Sequence, residues 1–152
     1  MTIEKFPNDC SIEVSALCFD YGTQKIGVAF GQSVSATAKP VSVIKAIDGI
    51  PNWNTVSKLV EEWKPDLFVV GMPYNLDGTP SEFSPRAIKF ANRLSGRFNI
   101  PAFGMDERLS SKAAIEKVRE ESCTNKNVAE IDDIAAQIIL ENWFTGYKNK
   151  LL

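Results

Sequence analysis

The chain has 152 residues, of which 44% are hydrophobic and 24% charged, values typical of one compact globular domain. It contains no histidine, which excludes a Ser-His-Asp or Cys-His catalytic unit and any metal site with histidine ligands. A net charge of −2 is unusual for a general binder of polyanions. Binding of nucleic acid would therefore require a local basic face, a bound cation, or both.

The amino-terminal segment and the hydropathy pattern predict a cytoplasmic protein that does not bind a membrane. No apolar run is long enough to cross a bilayer, and residues 1–9 lack the basic and then apolar layout of a secretory signal. The three cysteines have no spacing typical of a zinc or redox motif, so we expect idle thiols in a reducing compartment. Residues 1–152 are expected to form a single domain, with residues 1–13 as a loose leader.

The first part of the chain predicts three antiparallel strands. Residues 14–20 form an apolar run that ends in an acid, and residues 25–31 alternate large apolar and small side chains with the period of a strand. The short segment Tyr21-Gly22-Thr23-Gln24 separates them, which favours a hairpin. Residues 40–44 are a third strand candidate.

The rest of the chain alternates between helices and strands. The predicted elements are a helix at residues 52–63, a strand at 67–71, a helix at 84–98, a strand at 102–105, a helix that begins near Ser110 and a last helix at 132–144. Because each later strand follows a crossover helix, we expect these strands to be parallel. The predicted fold class is α/β, with a mixed five-stranded sheet of three antiparallel and then parallel strands, flanked by helices.

Acidic residues stand at the edges of three predicted elements. They are Asp20 after the first strand, the pair Asp106 and Glu107 after a later strand, and the pair Asp132 and Asp133 at the start of the last helix. Each has a purely structural explanation as well, in a turn, a loop or a helix cap. Together, however, these carboxylates are the oxygen ligands that Mg²⁺ prefers, and Gly22 beside the first of them would let a phosphate approach the backbone.

Basic residues recur on one face of the predicted helix at residues 84–98. The stripe consists of Arg86, Lys89, Arg93 and Arg97, at spacings of three and four residues. A solvated helix face would show the same stripe, whereas contact with a phosphate backbone would make it functional. The preceding loop, residues 71–79, follows a buried strand, a common place for substrate contacts, and carries Tyr74 and Asn75.

Four motifs in order resemble those of the YqgF-type family of Holliday-junction resolvases, also described as pre-16S ribosomal RNA nucleases. They are Phe19-Asp20-Tyr21-Gly22-Thr23 with Ile26-Gly27-Val28-Ala29, Val70-Gly71-Met72-Pro73 with Asn75-x-Asp77-Gly78-Thr79, Asp106-Glu107-Arg108-Leu109-Ser110, and Ile131-Asp132 with Ala135-Ala136 and Ile138-Ile139-Leu140. The resemblance extends from about Ala16 to Phe144. The chain departs from the family pattern at Asp133, where serine is frequent, and at Tyr74, where an aliphatic residue is usual.

The resemblance implies a ribonuclease H-like fold, dependence on Mg²⁺ or Mn²⁺, and maturation of the 5′ end of 16S ribosomal RNA. Its acids correspond to Asp20, the Asp106-Glu107 pair and Asp132. We expect Asp20, Glu107 and Asp132 to be the metal ligands, with Asp106 as the alternative to Glu107. These four residues are the predicted catalytic set.

The same hypothesis predicts which residues bind the substrate. Thr23, Lys25, Asn75 and Arg108 are expected to contact phosphate near the cleaved bond, and Arg86, Lys89 and Arg93 are expected to hold the flanking backbone. The partner is nucleic acid, with precursor ribosomal RNA favoured over branched DNA. The protein itself is expected to be a monomer or a homodimer.

Three other functions are compatible with parts of the sequence. A resolvase would cut branched DNA, and a symmetric dimer would present its two sites. A phosphotransferase is suggested by the Asp20-x-Gly22-Thr23 motif, which also resembles the phosphate loop of actin-like kinases and ATPases, although those proteins close two such domains on a nucleotide. A non-catalytic RNA-binding factor in ribosome assembly would retain the basic face without the metal.

Overall fold

The computed structural model describes residues 4–72, 84–106 and 128–149, and within these ranges it does not describe the side chains of residues 72, 84, 106 and 128–133. Its strands are β1 (Ser15–Asp20), β2 (Lys25–Gln32), β3 (Thr37–Ile47), β4 (Ile50–Pro51), β5 (Leu67–Met72) and β6 (Ala102–Asp106). Its helices are α1 (Trp53–Trp63), α2 (Ser84–Phe98) and α3 (Val128–Asn149). The helix predicted to begin near Ser110 lies outside the described residues.

The strands form one mixed sheet in the order β4-β3-β2-β1-β5-β6. The first four strands pair antiparallel in sequence order, and β5 and β6 add to β1 as parallel neighbours. This arrangement confirms the predicted α/β class and the change from antiparallel to parallel pairing. The sheet is curled by the usual twist and carries helices on both faces.

The predicted count of five strands is wrong, because the described sheet has six. The additional strand, β4, is only two residues long and contains a proline, so it has no alternating pattern from which a strand could be predicted. It pairs with the end of β3 through the turn Asp48-Gly49, whose φ angles of 51° and 81° are the positive values that a two-residue hairpin turn of type I′ requires. Strand β3 is also longer than the predicted residues 40–44. Residues 37–39 pair with β2 beyond a register shift next to Ala29, and residues 45–47 pair with β2 and β4.

Alternate residues of the sheet face two separate cores. On one face, Ala16 and Cys18 of β1 pack with Trp143 and other buried residues of α3. On the other face, Leu17 and Phe19 pack with the buried residues of α1 and α2. The period of two in β1 therefore places every second side chain under α3, and this alternation decides on which face a residue at the end of the strand lies.

Helix α1 agrees with its prediction at both ends. Asn52 is the N-cap, and its side chain accepts a hydrogen bond of 2.9 Å from the backbone N–H of Asn54. The helix ends where Lys64 adopts the left-handed conformation before Pro65. No helix in the described ranges is both long and apolar enough to cross a membrane.

Helix α3 is longer than predicted, since it begins at Val128 and ends at Asn149. Its carboxyl-terminal extension is held by contacts that lie far away in the sequence. Tyr147, which is buried, donates a hydrogen bond to the carbonyl of Ile12, and Lys148 donates through Nζ to the carbonyl of Val34 at 3.2 Å. Tertiary packing thus continues the helix beyond the point at which its apolar pattern was expected to end.

The expectation of a loose leader is also wrong for residues 4–13. The indole N–H of Trp143 donates a hydrogen bond of 2.7 Å to the carbonyl of Lys5, and the ring of Phe6 lies 5.4 Å from the ring of Trp143. Cys10 is 7% exposed and belongs to the core beneath α3. The segment forms no helix or strand, but it covers aromatic surface that α3 would otherwise expose to water.

Candidate active site

The candidate site begins with Asp20, the half-buried last residue of β1. Strands β1, β5 and β6 are parallel neighbours, so their carboxyl ends meet at one edge of the sheet, where ligands bind in open α/β folds. Asp106 is the last residue of β6 at the same edge. Strand β5 lies between the two, which separates their backbones by about 10 Å.

The direction of α3 brings the start of this helix to the same edge. Its late residues contact the opposite edge, as Lys148 does at the turn between β2 and β3, while Gln137 lies further along β3 and donates a 3.0 Å hydrogen bond to the carbonyl of Ala38. The helix therefore runs antiparallel to β1, and residues near its amino terminus approach the end of β1. Buried Ala135 and Ala136 allow this part of the helix to lie close to the sheet.

The position of Asp132 and Asp133 within α3 differs from the prediction. They were expected to open the last helix, where acids commonly cap free amides. The helix instead begins at Val128, so both aspartates lie beyond its first turn. Because stabilisation by the helix dipole and capping is confined to that first turn, capping does not account for these two acids.

The turn after Asp20 is fixed by close backbone packing. A Cβ atom on Gly22 would collide with the carbonyl oxygen of Lys25, so the turn requires glycine whether or not a phosphate binds there. Thr23 is half-buried, and its carbonyl accepts a hydrogen bond of 2.8 Å from the N–H of Gly49. The turn that carries the predicted substrate residue Thr23 is thereby attached to the hairpin of β3 and β4.

Two lysines create positive charge on the same face of the sheet as Asp20. Alternation from buried Cys18 places Asp20 on the face covered by α3, and alternation from buried Ile26 places Lys25 there too. Lys45 pairs directly with Lys25 across β2 and β3, and both are exposed. The sequence analysis did not single out Lys45. Its position directly after the apolar residue Ile44 in a strand would have indicated that Lys45 lies on the opposite face of the sheet from Ile44.

A basic pocket opens on the other side of the Asp20 turn. It has a volume of about 200 Å³ and contains all three cations predicted to hold the nucleic-acid backbone; its lining is Tyr21, Asp48, Gly49, Ile50, Arg86, Lys89, Phe90 and Arg93. Arg86 forms an ion pair with Asp48 at 2.6 Å, and their side chains are 40% and 74% exposed. The fourth cation of the predicted stripe, Arg97, stacks over the ring of Trp53 at 4.3 Å.

Tyr21 follows Asp20 directly in the chain and lines the basic pocket, and the sequence analysis did not assign it a role. Its ring centroid is 5.2 Å from that of Phe90. Burial raises the pKa of Tyr21 above its ordinary value; Arg86 opposes this shift, Asp48 adds to it, and Arg93 opposes it. The phenol consequently stays neutral and can donate a hydrogen bond to an anion in the pocket.

The remaining predicted residues fall outside the described side chains. Asn75, Glu107 and Arg108 lie outside the described ranges, and the side chains of Asp106 and Asp132 are not described. Among the side chains that are described, no group of three cysteines, histidines or acids could hold a metal ion. Of the four predicted catalytic acids, Asp20 alone has a described side chain.

The comparison with protein families shows to which family the chain belongs. Residues 14–146 match the family model of RuvX, described as Holliday junction resolvase. The chain belongs to the RuvX family. This membership identifies it as a nuclease and confirms the resemblance to pre-16S ribosomal RNA nucleases and resolvases.

Close relatives of this RuvX member cover nearly the same length. A protein of Pseudomonas paraeruginosa named "Putative pre-16S rRNA nuclease" is 48% identical over 134 residues, which make up 88% of this chain and 93% of that protein. A protein of the same name from Mannheimia succiniciproducens is 48% identical over 132 residues, 86% of this chain and 94% of that protein.

Solved structures share the fold of this RuvX member at low sequence identity. RuvC of T. thermophilus in complex with a Holliday junction substrate has a TM-score of 0.56 and 12% identity, with 90% of this chain and 96% of that chain covered. The fowlpox virus Holliday junction resolvase has a TM-score of 0.50 and 20% identity, with coverage of 91% and 99%. These similarities confirm the predicted ribonuclease H-like fold.

Proposed function

We propose that this RuvX nuclease matures the 5′ end of pre-16S ribosomal RNA in the cytoplasm, with Mg²⁺ or Mn²⁺ held by Asp20, Glu107 and Asp132. One observation carries the proposal: the carboxyl ends of β1 and β6 and the start of α3, each of which contains a predicted acid, lie toward one edge of the sheet. The names of the relatives at 48% identity support ribosomal RNA as the substrate.

The donor set fits a hard divalent cation. All candidate ligands are carboxylates, and the chain has no histidine that would favour zinc or another softer metal. A divalent ion bound there would activate the attacking water and stabilise the leaving oxygen of the phosphodiester. The half-buried position of Asp20 at the end of β1 suits a ligand that must be held by the fold and still remain open to substrate.

Periodicity supports one acid of each adjacent pair in this proposal. Phe103 and Met105 of β6 pack under α3, and a period of two then favours Glu107 over Asp106 for that face. Within α3, the residues three, four and seven positions after Asp132 are all buried, which favours Asp132 over Asp133 as the ligand that faces the sheet.

The chain's own cations bind and orient the strand in this mechanism. Lys25 and Lys45 share the sheet face of Asp20, where they contact phosphate next to the cleaved bond. On the other side of the Asp20 turn, Lys89 and Arg93 hold phosphates of the flanking backbone, and Tyr21 donates a hydrogen bond to them. Thr23 of the turn, Asn75 and Arg108 remain the predicted additional contacts near the cleaved bond.

A Holliday junction resolvase is the second candidate function, because the description of the matching family names that activity. The two functions differ in the substrate and in assembly, since junction cutting calls for a symmetric dimer with two sites. A catalytically idle RNA-binding factor is the third outcome that an assay must separate from these.

The decisive experiment measures cleavage of precursor RNA, single-stranded RNA and four-way DNA junctions by purified protein with Mg²⁺ or Mn²⁺. We expect cleavage of the precursor RNA, and we expect Asp20→Asn to reduce it more than about a hundredfold, because even residues that merely orient metal ligands cost 10–100-fold. Asp9→Asn is the matched control, since Asp9 is an exposed acid whose side chain accepts hydrogen bonds from Ser11 of the same segment. Full cleavage by Asp20→Asn would refute the metal site, and cleavage of junctions alone by a dimer would favour the resolvase.

A further inference from the structure

The tip of the hairpin formed by β3 and β4 exposes two isoleucines to water. Ile47 is 84% exposed and Ile50 is 52% exposed. They pair directly across the turn Asp48-Gly49, so their side chains share one face of the hairpin. Threonine would satisfy the same preference for a strand, so hairpin formation does not explain why two apolar residues stand here.

The tip is held in a fixed position beside the candidate active site. The N–H of Gly49 donates to the carbonyl of Thr23 at 2.8 Å, and the ion pair of Asp48 with Arg86 attaches the turn to α2. Ile50 is itself part of the lining of the basic pocket. Ile50 thus lies next to the cations of α2, and Ile47 lies beside it at the tip, next to the turn that follows Asp20.

We propose that Ile47 and Ile50 pack against unpaired bases of the nucleic-acid strand whose phosphates are bound by Lys89 and Arg93. The proposal rests on the proposed nuclease function and specifies its substrate as a strand that is single-stranded, or locally unpaired, beside the cleaved bond. Such a strand presents alternating anionic phosphates and flat apolar bases. This matches a pocket that has cations on α2 and Ile50 of the hairpin in its lining, with Ile47 paired to Ile50 at the same tip.

A duplex fits this surface less well than a single strand does. In a duplex the base faces are stacked on one another, and an apolar side chain reaches them only by unstacking a step, which costs free energy. A single strand offers the same faces without this cost. The hairpin tip therefore selects for unpaired substrate, whereas the cations of α2 bind any phosphate backbone.

A second copy of the chain is a poorer occupant of the tip. In a symmetric dimer the same patch meets itself, so Lys89 and Arg93 beside one tip would approach their equivalents in the partner. Like charges that face each other across an interface oppose association. A strand of nucleic acid instead neutralises these cations.

The test measures binding in the absence of divalent metal, so that it does not depend on cleavage. Fluorescence anisotropy is recorded with a labelled single-stranded RNA and with the duplex of the same sequence, for the wild type and for Ile47→Ser/Ile50→Ser. The matched control is Ile12→Ser/Val34→Ser; these residues are 58% and 54% exposed, and Val34 lines a pocket with Ser15 at the opposite edge of the sheet. Circular dichroism and thermal unfolding verify the fold of each variant.

We expect the tip variant to bind the single strand about tenfold more weakly, because it loses the burial of two isoleucine side chains against the bases. Its binding to the duplex and the control variant's binding to both should remain close to wild type. Unchanged binding of the single strand by the folded tip variant would overturn the proposal. So would an equal loss for the duplex, or a change of oligomeric state with RNA binding intact, which would identify the tip as a protein interface. Failure of the proposed nuclease function would be a separate result. The protein could fail to cleave RNA in the cleavage assay and still bind single-stranded RNA through the tip in the binding assay.

Discussion

The basic pocket leads to a quantitative prediction about salt. Lys89 and Arg93 line the pocket and are exposed, so each is expected to bind one phosphate of the substrate strand. Replacing either residue by alanine removes one contact to a phosphate. The counterions of that phosphate are then no longer released when the protein binds. The slope of log affinity against log salt concentration should become shallower by about 0.7 for each lost contact to a single strand.

The slope fixes the size of the effect at any salt concentration. At about 0.1 M salt, one contact with a slope of about 0.7 contributes about fivefold to affinity, so Lys89→Ala should weaken binding about fivefold and Lys89→Ala/Arg93→Ala about 25-fold. A fourfold rise in salt should shrink the deficit of the double variant by about sevenfold. Near 1 M salt the variants and the wild type should converge.

The assay is a salt titration of anisotropy with a labelled single-stranded RNA and without divalent metal. Lys58→Ala is the matched control, because Lys58 is an exposed lysine on α1 that does not line the pocket. A deficit for Lys89→Ala that does not change with salt would refute the reasoning, because it would mean that the side chain acts through packing or fold. Equal effects of Lys58→Ala and Lys89→Ala would show that only total charge matters.

Two further predictions concern the fold around the site and around α3. Gly49→Ala should lower the free energy of unfolding by about 1 kcal/mol because of the φ of 81°, and by more because the new methyl group collides with the hydroxyl of Tyr21. In a Tyr21→Phe background this hydroxyl is absent, so urea unfolding should show a smaller loss of stability for Gly49→Ala. An equal loss in both backgrounds would contradict the contact. Burial raises the pKa of Tyr147, so its folded pKa exceeds its unfolded pKa of about 10; the stability it contributes is complete below that value and is lost as pH rises through the folded pKa. Urea unfolding between about pH 8 and about pH 11 should therefore show a weaker loss of stability for Tyr147→Phe than for the wild type, and identical slopes would contradict the assignment.

The regular elements were predictable from the sequence because their patterns are local. The alternation in residues 25–31 and the helical spacing in residues 52–63 depend on neighbouring residues, and both elements are found. Strand β4 and the carboxyl-terminal end of α3 were missed for the opposite reason. They exist through pairing with β3 and through contacts of Tyr147 and Lys148 with distant backbone carbonyls, which no local pattern records.

The position of Asp20 was predictable from the sequence, whereas the residues around it were less so. A carboxylate at the end of a strand, such as Asp20, can be recognised because topology gathers strand ends. The roles of Tyr21 and Lys45 depend on which residues face them across the sheet and the pocket, which follows only from register. The alternative explanation of Asp132 as a helix cap assumed that the last helix begins at residue 132, whereas it begins four residues earlier, at Val128.

The packing of the amino-terminal segment shows that the boundary of the family match differs from the boundary of the packed structure. The part shared with the RuvX family begins at residue 14, yet the acceptor for the indole N–H of Trp143 is the carbonyl of Lys5. A protein trimmed to the shared part would leave that donor without its acceptor and would uncover the ring that Phe6 shields. Residues that stabilise the fold therefore extend beyond the part that matches the family model, and variants meant for solution studies should retain the whole amino terminus.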